Sequence, residues 1–163
     1  MSLTAACRIG HVETVHRLLS AGHPTNGAPF QTACAGGHES IVRLLLALDG
    51  DRRIDVHAGD EAAFQAACEG GHDHVARILL SLEGDRYIDV HAVHEWAFRS
   101  TCWKGALSTV RLLLSLDGDR RVDVHVVFEA AFQAACRRGH QGITRLLLSL
   151  DGDRRIDVHA GGG

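Results

Sequence analysis

The sequence predicts an all-α repeat solenoid of about five helix-turn-helix units joined by extended loops. Three observations carry this expectation. The cysteines stand at Cys7, Cys34, Cys68, Cys102 and Cys136, one interval of 27 residues followed by three of 34. Phe30, Phe64, Phe98 and Phe132 keep the same period, as do Asp55-Val56-His57, Asp89-Val90-His91, Asp123-Val124-His125 and Asp157-Val158-His159. Residues 61–94 and 129–162 are identical at 23 of 34 positions. A period of this length marks a repeat architecture, because one such unit cannot bury its apolar face without a neighbour. The period divides the chain into units of about 1–26, 27–60, 61–94, 95–128 and 129–160, with a Gly161-Gly162-Gly163 tail, and makes residues 1–163 a single repeat domain.

The elements follow in order along the unit 61–94. Glu61-Ala62-Ala63-Phe64-Gln65-Ala66-Ala67-Cys68-Glu69 is rich in Ala and free of β-branched residues, which favours a short helix, and Gly70-Gly71 ends it. His72-Asp73 opens a second helix whose apolar residues Val75, Ile78, Leu79 and Leu82 fall three and four apart along one face. Gly84 stops that helix. From Asp85 to Ala92 apolar and polar residues alternate at Ile88 and Val90, so this stretch is expected to run extended into the next unit. The first copy is shortened, and Thr14 and Arg17 stand at the positions held by Ile41 and Leu44, Val75 and Ile78, and Ile143 and Leu146. An exposed outer face, as in a capping repeat, is the expectation there.

The composition excludes several classes. With 45% apolar and 23% charged residues the chain can bury a core, which argues against disorder. A net charge of −3 gives no general attraction to nucleic acid or to anionic lipid. The longest apolar run, Leu44 to Leu48, is far too short to span a bilayer, and the N-terminus has no basic region followed by a long apolar stretch. A cytoplasmic protein, monomeric or part of a longer array, is expected.

Ala35-Gly36-Gly37-His38-Glu39-Ser40-Ile41-Val42-Arg43-Leu44-Leu45-Leu46 and its copies resemble the ankyrin repeat signature A-x-x-G-H-x-E-I-V-x-L-L-L, and Asp-Val-His-Ala at 55–58 and 89–92 is similar to its D-V-N-A. The resemblance covers nearly the whole chain and implies a module that binds another protein through a concave groove. Two departures stand out. The family's T-P-L-H is replaced by Ala62-Ala63-Phe64-Gln65, with only Pro29 keeping the proline, and the unit is 34 residues long rather than 33. A turn or short extended strip is therefore expected in place of the family's β-hairpin finger. Tetratricopeptide arrays share the period of 34, but their W-x2-L-G-x2-Y core and closing Pro do not recur, and their helices are joined by shorter turns.

Candidate chemistry is sparse. Cys-x3-His recurs at Cys7/His11, Cys34/His38, Cys68/His72 and Cys136/His140, yet each copy supplies only two ligand types and like residues on stacked helices lie roughly 8–10 Å apart. Free thiols and structural histidines are the expected reading, with no disulfide, metal or cofactor. No Gly-x-Ser-x-Gly elbow and no phosphate loop ending in Lys-Ser or Lys-Thr occurs, so no catalytic residue is assigned. His72-Asp73-His74 is the one pattern that would suit a metal-dependent enzyme, and it appears once. Near-identical copies and the Gly tail would also suit a designed or consensus scaffold.

Positions that differ between copies are free to carry specificity. The end of the first helix reads Ala35-Gly36, Glu69-Gly70, Trp103-Lys104 and Arg137-Arg138, and in the family these positions line the groove. A second variable set includes His94 and Phe128. Copy four is the outlier, with Trp96, Arg99, Ser100, Thr101, Trp103 and Lys104 where its neighbours carry mostly Ala, Gln and small residues. Trp and Arg are the residues most often found as interface hot spots. The expected surface is thus a groove centred on copies four and five, built from Trp96, Trp103, Lys104, Arg137, Arg138 and Phe128 with Glu69 and His94, gripping an acidic segment of another protein.

Overall fold

A computed structural model of the chain describes residues 1–25 and 27–160, with the backbone alone at Phe128; the glycine tail lies outside the described residues. Among the described residues ten α-helices follow one another in five pairs. They are α1 (Leu3–Arg8) and α2 (Val12–Ser20), α3 (Gly27–Ala35) and α4 (Glu39–Leu46), α5 (Ala58–Glu69) and α6 (Asp73–Leu80), α7 (Ala92–Lys104) and α8 (Leu107–Leu114), and α9 (Val126–Arg137) and α10 (Gln141–Leu148). The chain forms two compact units, Met1–Ile88 and Asp89–Gly163. In the first, α1 packs on α3 and α3 on α5, while the second helices α2, α4 and α6 form a parallel row of contacts. In the second, α7 packs on α9 and α8 on α10.

The residue types explain this layering. First helices bury Ala6 and Cys7, Ala33 and Cys34, and Ala67 and Cys68 completely, so small side chains let the helices approach closely. Phe30, Phe64 and Phe98 fill the space beside them, each about 1% exposed. Second helices contribute the branched core: Ile41, Val42 and Leu45 in one copy, Val75 and Leu79 in the next, Val110 and Leu113, then Ile143 and Leu147. The first copy differs from its expectation at one position. Arg17 is exposed, but Thr14 is buried at 6% exposure, so only part of the polar substitution faces outward.

The connection between pairs is more structured than an extended strip. Gly50–Arg52, Gly84–Arg86, Gly118–Arg120 and Gly152–Arg154 form 3-10 turns, and only the residues after them are extended, as at Tyr87 (φ −65°, ψ 117°). His91 has already returned to helical angles. No strand occurs among the described residues, so a turn replaces the hairpin finger. Arginines hold the turns down. Arg52, Arg86 and Arg154 reach back to donate to the carbonyls of Leu19, Leu46 and Leu114 at 3.0–3.2 Å, near the ends of preceding second helices.

The connections into α5, α7 and α9 then each make one left-handed turn before the right-handed helix. Gly59, Asp60 and Glu61 have φ of 69°, 54° and 66°, Val93, His94 and Glu95 have 54°, 55° and 58°, and Val127 and Glu129 have 54° and 60°. This conformation costs non-glycine residues roughly 1–2 kcal/mol each. A histidine and a glutamate lock it. His57, His91 and His125 place Nδ1 at 2.7, 2.6 and 2.7 Å from Oε1 of Glu61, Glu95 and Glu129, whose side chains are almost fully buried. Their Nε2 atoms donate to the carbonyls of Asp85, Asp119 and Asp153 at 2.8, 2.7 and 2.7 Å. With an acceptor facing each nitrogen, the arrangement favours the imidazolium form. The hydrogen bond to the glutamate raises the pKa of His57 and His125 above the ordinary value, followed by the bond to the aspartate carbonyl. At His91 burial pulls the other way, and the bonds to Glu95 and Asp119 outweigh it, so that pKa is raised too.

Candidate partner-binding surface

In copy four the end of the first helix is fixed from the next copy. His140 donates from Nε2 to the carbonyl of Trp103 at 2.8 Å, as His72 does to Ala35 at 2.9 Å and His38 to Arg8 at 3.1 Å. The turn must let the ring in. Gly105 ends α7 at φ +86°, and a Cβ there would lie 2.6 Å from the His140 ring. Both constraints require glycine. The backbone at Trp103-Lys104 is therefore held by a hydrogen bond and a close ring contact, a rigid support for whatever its side chains present.

The structure brings Trp103 and Arg138 together. The guanidinium carbon of Arg138 lies 4.7 Å from the centre of the Trp103 ring, within cation–π range, and Trp103 remains 43% exposed. Lys104 and Arg137 are exposed beside them in sequence, and Arg137 donates to Oε1 of Gln133 at 3.2 Å. A second cluster lies at the other end of α7. Arg99 sits 5.4 Å over the Trp96 ring and donates to the carbonyl of His94 at 3.2 Å, with Trp96 39% exposed. Seven residues separate the two tryptophans, about 10 Å along a helix axis.

Other expected members are placed differently. Glu69 is half-buried at the end of α5, in the first compact unit. The side chain of Phe128 lies outside the described residues. Ser100 and Thr101, which also set copy four apart, are buried, and both hydroxyls donate to the carbonyl of Ala97, so they belong to the interior of α7. Arg99 joins Trp96 through contacts that the sequence signals only as a departure from its neighbours.

The chemistry-bearing residues have structural partners. His72 and His74 both donate backward, to the carbonyls of Ala35 and Gly37, and Asp73 pairs with Arg77 at 3.7 Å. Burial pushes the thiol of Cys7 up to about 11 and those of Cys34 and Cys102 up to about 12, which keeps them protonated and unreactive. Cys136 is exposed on α9, which among the described residues packs another first helix, α7, on one side only. Among the described residues no three His, Cys, Asp or Glu side chains converge as a metal site, and no helix is long and apolar enough to cross a membrane.

Helix pairs that stack by first helix on first helix, three of them pinned by a histidine to the copy before, define a repeat-array protein. A family model described as ankyrin repeats in three copies matches residues 3–93, and the chain belongs to the ankyrin repeat family. Residues 129–162 carry the same unit on, by their identity with 61–94 at 23 of 34 positions. No curated protein matches the chain. Ankyrin repeats are in general protein–protein interaction modules and are typically not enzymes.

Proposed function

We propose that residues 1–163 form a single non-catalytic interaction domain of five copies, active in the cytoplasm as a monomer or within a longer array, whose partner protein contacts copies four and five. The observation that carries this reading is the pairing of Arg138 with an exposed Trp103 on a helix end that His140 holds in place. Exposed tryptophan is costly to leave in water, and Trp and Arg are both among the residue types enriched where binding energy concentrates. Lys104 and Arg137 extend the surface, and Trp96 with His94 and Arg99 forms its second cluster. Phe128 and Glu69 stand at further variable positions of the repeat. The cytoplasmic assignment draws support from the five free thiols.

The test is a double substitution. Trp103→Ala with Arg137→Ala removes one aromatic anchor and one cation from exposed positions, so the helical circular dichroism stays as in the parent chain. Partner proteins captured by the intact chain and identified by mass spectrometry should bind the variant at least about tenfold more weakly, in line with the loss of a hot spot. Equal binding by the two chains removes the assignment.

A further inference from the structure

We infer that the partner segment is an acidic polypeptide, and that it is selected by two helix pairs of the second unit that carry cations and no acid. This rests on the interaction-module reading above and specifies its partner. Residues 96–116 and 130–150, which span the right-handed part of α7 with α8 and of α9 with α10, contain Arg99, Lys104, Arg111, Arg137, Arg138 and Arg145 and no Asp or Glu. The equivalent residues 28–48 and 62–82 of the first unit contain Arg43 and Arg77 against Glu39, Glu69 and Asp73. The same scaffold positions thus change from a slight acidic excess to six uncompensated positive charges.

The change is specific to these positions. In copies two and three the second helix opens with an acid that pairs with an arginine one turn on, Glu39 with Arg43 at 2.9 Å and Asp73 with Arg77 at 3.7 Å. In the second unit the opening residues are Leu107 and Gln141, so Arg111 and Arg145 lose that partner while the arginine is kept. At the ends of the first helices, Glu69-Gly70 gives way to Trp103-Lys104 and Arg137-Arg138. The acids of the second unit lie in its loops and left-handed turns, where Glu95 and Glu129 are buried and Asp153 is held by Arg121 through two hydrogen bonds of 2.7 and 2.8 Å.

This arrangement suits a short acidic chain better than a nucleic acid. The helix pairs carry cations without acids, while the loops from Asp117 to Asp123 and from Asp151 to Asp157 each set three aspartates against two arginines, an acidic excess that disfavours a long polyanion. Arg138 and Arg99 already cover one face of Trp103 and Trp96, taking up surface that unpaired bases would use for stacking. Carboxylates can instead bridge the guanidinium groups from the side, and the exposed indole edges accept apolar residues of the same peptide.

The experiment uses the full chain and measures fluorescence anisotropy of a labelled glutamate-rich peptide, a lysine-rich peptide and a single-stranded oligonucleotide. The glutamate-rich peptide should bind, weaken as salt is raised, and lose about tenfold or more in affinity in the Lys104→Glu/Arg137→Glu variant. Arg43→Glu in the first unit should leave binding unchanged, and circular dichroism should be the same for all three chains. Equal affinity for the charge-reversed variant, or tighter binding of the oligonucleotide than of the peptide, overturns the inference. Failure of the intact chain to bind the glutamate-rich peptide also overturns it, while the interaction-module reading is decided separately by the double-alanine capture.

Discussion

Val93, a β-branched residue with φ of 54°, occupies a conformation that its side chain resists, and Val127 repeats it. Both are about half exposed, so little burial offsets the strain. Copy three has Gly59 at the equivalent position. Replacing Val93 by Gly should therefore raise stability by about 1 kcal/mol, the reverse of the usual effect of glycine inside an element. Urea titration of the parent and the variant checks this, with a higher midpoint expected for Val93→Gly. The left-handed turn itself was illegible in the sequence, because valine, histidine and glutamate give no local warning of positive φ. Its signal was periodic instead: Glu61, Glu95 and Glu129 each follow a histidine by four residues, and a buried acid repeated once per copy has to be answering a neighbour. The same holds for Ser100 and Thr101, whose polar character suggested surface and whose hydroxyls in fact satisfy the carbonyl of Ala97 inside the helix.

At the scale of elements, three connections between helix pairs carry a histidine whose pKa the fold raises. His57, His91 and His125 have raised values in the folded chain, so their contribution to stability is fully present below the unfolded histidine value, about 6.5, and is lost as pH rises through the folded values. The rings are partly exposed, so screening limits the effect and salt reduces it. Thermal melting followed from mildly acidic to mildly alkaline pH should show the midpoint falling across that window. Glu95→Gln keeps the size of the side chain but removes the buried charge that His91 faces. It should cost about 1–3 kcal/mol at mildly acidic pH and make the fall with pH shallower. A variant that melts with the parent's pH profile would show that the pair is not the source of the dependence. The helices themselves were legible, because small residues on the first helix and a leucine-rich stripe on the second follow directly from the periods of packing. The 3-10 turns were not, since Gly-Asp-Arg reads as a loop until the arginine is seen to reach a carbonyl of an earlier helix.

At the scale of the whole molecule the formal charge of −3 conceals an uneven distribution. Residues 1–88 hold 7 Lys and Arg against 11 Asp and Glu, and residues 89–163 hold 10 against 9. Repetition made the family visible and also made the exceptions visible, because Trp96, Trp103 and the Arg137-Arg138 pair stand out against copies that lack them. What repetition could not supply was which exceptions meet. Trp103 and Arg138 are 35 residues apart and adjoin because copies stack one helix on the next. The two tryptophans are also the chain's only indoles, which makes them separate reporters at the two ends of α7. The most direct measurement is the two-dimensional 1H–15N spectrum of the full chain during titration with the glutamate-rich peptide, following the two indole N–H signals. With Trp103 in the contact surface, its signal shifts progressively and saturates with the binding isotherm. Saturable binding that leaves both indole signals unmoved would contradict that placement.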